Sequence, residues 1–151
     1  MNALETKEKL EEIVLILAED DPDDVLLTKE ALEECGIFNP LKVVSDGEEL
    51  LKLLREDTTV SQVNLKRSLV LLDLNMPRKD GREALREIKT DPTLKAIPVI
   101  VLTTSQQAED ISNSYQLGVN SYITKPVSFE GLVSTMQTIS SYWLQTVKLH
   151  L

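Results

Sequence analysis

The chain lacks the residues that several common chemistries need. Its 151 residues include one cysteine, Cys35, and one histidine, His150. A single cysteine excludes an internal disulfide and a cysteine-based zinc site, and it fits best as small apolar filler in a helix-like segment. A single histidine, one residue from the last position, excludes multi-histidine metal centres and argues against Ser-His-Asp catalysis. The five glycines stand apart at 36, 47, 81, 118 and 131, so no glycine-rich phosphate loop of the nucleotide-binding kind exists. Aromatic residues make up only 4% of the chain, leaving Leu, Ile and Val to build a core. Positive charge is in deficit: 16 Lys and Arg face 25 Asp and Glu, for a net −9. That balance opposes both a nucleic-acid backbone and an anionic membrane surface as partners. No apolar run approaches membrane-spanning length. The opening segment MNALETKEKLEE is polar and charged, without the apolar stretch of a secretory signal, so the expected location is cytoplasmic.

What the chain does have is alternation. At 42% hydrophobic, over a length typical of one domain, it can bury a full core. IVLILA (13–18) is a continuous aliphatic run, as expected of a central parallel strand covered on both faces. Asp21-Pro22-Asp23-Asp24 reads as a helix start: Asp21 caps, Pro22 fits the first turn, and the acids suit the positive end of the helix dipole. That helix should reach about Cys35 and stop at Gly36. LKVVS (41–45) is a second strand, and Asp46-Gly47 opens a second helix carrying Leu50, Leu51, Leu53 and Leu54. The polar stretch 57–68 reads as a loop into a third strand, LVLLD (69–73). After the turn-rich NMPRKDG, a third helix starts near Gly81, carries Ala84, Leu85 and Ile88, and ends at Asp91-Pro92. PVIVL (98–102) is a fourth strand, and a helix from about Gln107 to Leu117 precedes Gly118 in the C-cap place. SYIT (121–124) is a fifth strand. The last helix, from Ser128, carries Phe129, Leu132, Val133, Met136 and Ile139 on one face. Strict alternation implies a parallel sheet with right-handed crossovers, hence one three-layer α/β/α domain over 1–151, with its core at about 12–142.

The polar residues at the strand ends form a pattern of their own. Glu19 and Asp20 follow the first strand, Asp73 ends the third, Thr103 follows the fourth and Lys125 follows the fifth. In a parallel sheet these ends face one crevice. Two carboxylates about 4 Å apart repel by roughly 4 kcal/mol at an effective dielectric near 20. Three acids gathered there, with a hydroxyl and an ammonium, suit the joint binding of a divalent cation and a phosphoryl group.

The runs LAEDDPDD, LLDLNMPRKDG, IPVIVLTTS and YITKP resemble the receiver domain of two-component response regulators, in the right order and spacing over nearly the whole chain. The resemblance implies a doubly wound, flavodoxin-like sheet of strand order 2-1-3-4-5. It implies that Asp73 accepts a phosphoryl group, since a carboxylate can serve as a covalent nucleophile. It makes Asp20 a direct Mg²⁺ ligand, Glu19 a ligand often acting through water, and the backbone carbonyl of Asn75 a further one. Asp21 competes for the metal role but better suits a cap. Lys125 would reach the phosphoryl oxygens; the family aims this lysine through a cis peptide before the next proline, and the isomer at Pro126 stays open. Thr103 would swing toward the phosphoryl group on activation, and Tyr122 would change rotamer with it. A protein of this kind is a signalling phosphoacceptor rather than an enzyme, catalysing only its own phosphorylation and dephosphorylation. Its expected partners are a sensor histidine kinase and, for onward transfer, a histidine phosphotransfer protein.

The tail SYWLQTVKLHL continues the stripe of Phe129, Met136 and Ile139 with Trp143 and Val147. Two uses of that stripe stay open: packing back onto the domain, or an apolar face shared with a partner. Together with LLDLNMPRKDGREAL and VIVLTTS, this ending is similar to stand-alone response regulators that serve cyanobacterial phytochromes. That similarity implies a phytochrome-type kinase. It also implies a homodimer through the fourth helix, fifth strand, fifth helix and the tail (143–151). With about a dozen residues after the last helix, no DNA-binding output is expected. A phosphatase of the haloacid dehalogenase class would want a second Asp two residues past the nucleophile, where this chain has Asn75. The remaining alternative is a degenerate receiver, a protein-binding module independent of phosphorylation, against which the full set of signature residues argues.

Overall fold

A computed structural model describes residues 13–56 and 67–146. The expected loop at 57–68 lies almost wholly outside them. Five parallel strands form one sheet in the order 2-1-3-4-5, as expected: β1 (Val14–Ala18), β2 (Leu41–Val44), β3 (Ser68–Leu72), β4 (Val99–Thr103) and β5 (Ser121–Thr124). Among the described residues five α-helices connect or follow them: α1 (Pro22–Glu34), α2 (Gly47–Glu56), α3 (Gly81–Thr90), α4 (Ala108–Leu117) and α5 (Phe129–Ile139).

The three central strands are buried along their whole length, so their side chains alternate between two cores rather than between core and water. Val14, Ile16, Val70, Leu72, Val99 and Val101 join one cluster, closed by Leu50, Leu51 and Leu54 of α2 and Ala84, Leu85 and Ile88 of α3. Leu15, Leu17, Leu69, Leu71, Ile100 and Leu102 join the other, closed by Ala31 and Leu32 of α1 and Met136 and Ile139 of α5.

Helix ends follow the local chemistry. The Asp21 carboxylate accepts from the Asp23 N–H at 2.9 Å, and Pro22 is the first helical residue of α1. Asp46, Asp80 and Ser128 cap α2, α3 and α5 in the same way. Gly118 ends α4 with φ of 102°, a left-handed conformation costly for other residues.

At the C-terminal end α5 runs on into a π-helical stretch, Ser140–Thr146. The rings of Tyr142 and Trp143 meet edge to face, with centroids 5.3 Å apart. Trp143 is half-buried against the α1–α5 core beside Leu144, so its ring serves its own domain first. Val147 lies outside the described residues. Phe129 breaks the expected stripe: it is 39% exposed.

Candidate functional site

Strand register brings the site together. Ala18 of β1 pairs with Leu72 of β3, so Glu19 and Asp73 follow adjacent strand ends. The Asp73 N–H donates to the Ala18 carbonyl at 3.0 Å, which fixes the carboxylate at the crevice floor. Thr103, the last residue of β4, pairs with Thr124 of β5, and the Lys125 N–H donates to the Thr103 carbonyl at 2.7 Å. Behind Asp73 the chain is tightly constrained. A Cβ at Gly81 would press into the Asp73 carbonyl oxygen and stand 2.7 Å from the Leu74 Cα, so only glycine lets α3 start there.

Asp73 is 7% exposed and its carboxylate is fully engaged. Oδ1 accepts from the Thr103 hydroxyl at 2.8 Å and from the Asn75 N–H at 3.1 Å. Oδ2 accepts from the Lys125 ammonium at 3.1 Å. That ammonium also binds Glu19 and, at 3.2 Å, Asp24. Glu19 is buried and takes the Asp21 N–H on its other oxygen at 3.1 Å, whereas Asp20 is exposed at the rim.

One ammonium thus serves three acids. Burial pushes the Glu19 carboxyl up to about 7, against the opposing pull of Lys125 and the Asp21 N–H. Burial acts on Asp73 in the same direction, but there the Asn75 N–H, the charge of Lys125 and the bonds from Glu19 and Thr103 outweigh it. The Asp73 carboxyl is therefore held below the usual carboxylate range. Burial alone would lower Lys125; the acids around it raise it above the ordinary lysine value instead. Asp73 is the member of the buried pair that stays ionised, as a nucleophile must.

Carboxylate oxygens of Glu19, Asp20 and Asp73 all lie within 4.8 Å of one another. An all-oxygen donor set of this charge fits a hard divalent cation, and no histidine or cysteine is present to favour a softer one. Beside Lys125 a cavity of about 140 Å³ opens between α1 and the start of α5, lined by Asp24, Thr28, Leu102, Pro126 and Phe129.

The five residues that the sequence placed at the strand ends, Glu19, Asp20, Asp73, Thr103 and Lys125, lie together in the crevice. There are no cis peptide bonds among the described residues, so the Lys125–Pro126 bond, whose isomer the sequence left open, is trans. The two isomers of such a bond differ by only about 0.5–1 kcal/mol, so context decides, and Lys125 reaches the acids from the trans form. The Thr103 hydroxyl points inward and donates to Asp73. Tyr122 points inward as well, donating its hydroxyl to the Ser105 carbonyl at 3.0 Å. Four neighbours escaped the sequence reading: Asp24, Arg82, Ser105 and Asp110. Asp24 lies in the first turn of α1, where the sequence showed it only as a dipole partner of the helix start. Arg82 and Asp110 carry no signal of their pairing, since they meet across 28 residues.

Comparison with known proteins agrees with this geometry. The family model described as the response regulator receiver domain matches residues 15–137. The chain is 43% identical to the response regulator Rcp1 of Synechocystis sp., over 90% of this chain and 92% of that protein. Its fold is similar to the phosphorylated cyanobacterial phytochrome response regulator RcpA, with TM-score 0.82 and 43% identity over 93% of this chain and 99% of that one. The Mn²⁺-bound form of Rcp1 gives TM-score 0.79 and 41% identity, over 92% and 99% of the two chains. Such agreement along almost the full length of both partners leaves one assignment: this chain belongs to the response regulator receiver domain family of two-component signalling, and within it resembles the cyanobacterial phytochrome response regulators.

Proposed function

We propose that the chain is a single-domain response regulator, receiver throughout 1–151, that takes a phosphoryl group from a sensor histidine kinase onto Asp73. The observation that carries this reading is the state of Asp73: a buried carboxylate, held ionised, with one oxygen fixed by Thr103 and Asn75 and the other by Lys125. A carboxylate oxygen attacks the phosphorus of a phosphohistidine in line, the P–N bond breaks, and the imidazole nitrogen leaves with the electron pair. Lys125 turns from the carboxylates to the arriving phosphoryl oxygens. Glu19, Asp20, Asp73 and the Asn75 main-chain carbonyl would hold Mg²⁺, which would offset the roughly −1.5 to −2 charge that a phosphoryl group adds. The Mn²⁺ in the similar Rcp1 structure supports a divalent ion of this class.

The Thr103 hydroxyl moves from Asp73 to a phosphoryl oxygen and draws the loop behind it, and Tyr122, bonded to that loop, follows. The face of α4, β5 and α5 then changes its contacts. The output is either homodimer formation through this face, with Trp143 and Val147 as tail contributors, or onward transfer from Asp73 to a histidine phosphotransfer protein. Similarity to RcpA supports a phytochrome-type kinase as the donor. No helix among the described residues is long and apolar enough to cross a membrane, which is compatible with a cytoplasmic site of action.

Intact-mass spectrometry after incubation with acetyl phosphate tests the central claim. The wild type should gain one phosphoryl group only when Mg²⁺ is present, and Asp73→Asn should gain none. Phosphorylation of Asp73→Asn at the wild-type rate would refute the assignment. No phosphorylation of the wild type under any condition would favour the degenerate, purely binding receiver.

A further inference from the structure

Arg82 and Asp110 have no place in the roles just assigned, yet they are built into the site's border. Arg82 lies in the first turn of α3 and Asp110 in the first turn of α4. The guanidinium grips the carboxylate with two parallel bonds, Nε to Oδ1 at 2.7 Å and Nη2 to Oδ2 at 2.8 Å. This two-pronged pairing is strong and directional. Each partner then reaches one of the two loops that border Asp73. Arg82 donates from Nη1 to the Leu74 carbonyl and from Nη2 to the Asn75 side-chain oxygen, each at 3.4 Å. Asp110 accepts the Ser105 hydroxyl at 2.6 Å.

Leu74 and Asn75 directly follow Asp73, and Ser105 stands two residues past Thr103. The Ser105 main chain completes the link: its N–H donates to the Thr103 hydroxyl oxygen at 3.4 Å, and its carbonyl accepts from Tyr122. An ordinary inter-helix ion pair would account for the two bonds between Arg82 and Asp110. It would not account for both partners turning onto the two loops, or for Asp110 being only 8% exposed on a helix whose neighbouring Glu109 lies open to solvent.

We infer that Arg82 and Asp110 are a positioning clamp that holds the loops after β3 and β4 closed over a phosphorylated Asp73, and so sets the lifetime of the phosphoryl group. The inference rests on Asp73 as the acceptor. Loss of the group is hydrolysis. A water oxygen bonds to phosphorus, the P–O bond to Asp73 breaks, the carboxylate leaves with the electron pair, and the water's protons pass to the released phosphate and to solvent. The water must come in line from the side opposite Asp73, through the mouth that the Asn75 and Ser105 loops border. A closed clamp narrows that approach; an open one widens it. Neither clamp residue touches Asp73, so both act through the loops.

The test uses the full chain as wild type, Arg82→Ala, Asp110→Ala and the double variant. Each is phosphorylated with acetyl phosphate and Mg²⁺, freed of donor by rapid desalting, and followed by intact mass. Each single variant should lose phosphate about fivefold faster. That factor corresponds to about 1 kcal/mol at 1.36 kcal/mol per decade, the upper range for a partly exposed ion pair. The double variant should be no faster than either single one, because both break one clamp. A second readout separates the clamp from plain loss of stability. With 3-fluorotyrosine in place of tyrosine, the ¹⁹F resonance of Tyr122, assigned by Tyr122→Phe, should move in both single variants, whereas mere destabilisation leaves the folded signal where it was. If an alanine variant does not fold, the near-isosteric Arg82→Gln and Asp110→Asn carry the same expectations. A phosphorylated wild type whose lifetime the variants do not change would overturn the clamp while leaving Asp73 as the acceptor. Multiplicative effects in the double variant would also overturn it. A wild type that takes no phosphate would overturn both readings.

Discussion

Thr103 has no exposed surface, and its one hydroxyl decides which oxygen of Asp73 is free to react. While it donates to Oδ1 beside the Asn75 N–H, that oxygen is tied by two hydrogen bonds, and Oδ2 accepts from Lys125. Thr103→Val keeps the shape and deletes the donor. A hydrogen bond to a charged group is worth about 1.5–3 kcal/mol, so the phosphorylation rate from acetyl phosphate should fall by about tenfold or more. Stopped reactions read by intact mass would show it, and an unchanged rate would mean that the hydroxyl does not orient the carboxylate. The chemistry at this scale was legible because each reactive group directly follows a strand: Glu19 after VLILA, Asp73 after SLVLL, Lys125 after SYIT. The positions of Arg82 and Asp110 were not legible. A charged residue in a first helical turn looks like any solvated dipole partner until the packing of α3 against α4 sets the two carriers face to face.

At the scale of elements, the alternation of strand and helix was readable because continuous aliphatic runs of about five residues cannot be satisfied except between two helical layers. Caps were readable for a similar reason: Asp21, Asp80 and Ser128 each bond the N–H groups that a helix start leaves open. Sequence could not show that α5 continues into Ser140–Thr146, because whether an apolar Trp143 turns home or outward depends on the groove left between α1 and α5. The junction of β3 and α3 is the element boundary with the least tolerance. Gly81 sits against the main chain of Asp73 and Leu74, and its N–H donates to the Leu74 carbonyl at 2.9 Å. Gly81→Ala must push the acceptor loop aside, with backbone rather than a flexible side chain yielding. We expect a loss of about 2 kcal/mol or more, in the range of overpacking and backbone-conflict substitutions, together with slower phosphorylation at temperatures where the variant is folded. Urea unfolding would measure the first and intact mass the second; wild-type values in both would show that α3 can shift without cost.

For the molecule as a whole, a net charge of −9 means that protonation relieves repulsion generally, so a pH effect must be read as a difference between variants. The Arg82–Asp110 pair allows this. The Arg82 guanidinium, with the Ser105 hydroxyl, holds the Asp110 carboxyl at about 2, below its ordinary 3.8. A carboxyl whose folded value is depressed adds stability above the unfolded value and loses it as pH falls through the folded one. The Asp110 contribution is therefore complete above about pH 4 and fades between about pH 4 and 2. At 1.36 kcal/mol per unit the shift sets a ceiling near 2.5 kcal/mol. Because Arg82 is 40% exposed, solvent screening brings the expected value to about 1–2 kcal/mol. In Asp110→Asn the hydroxyl and guanidinium contacts change at every pH, but the titrating part is gone. Urea denaturation of both proteins from pH 6 to pH 2.5 should then show a constant gap in stability down to about pH 4 that narrows below it. A gap that stayed constant through pH 3 would mean that the guanidinium does not hold this carboxylate charged. The tie between α3 and α4 would then be too weak to keep two loops closed over anything.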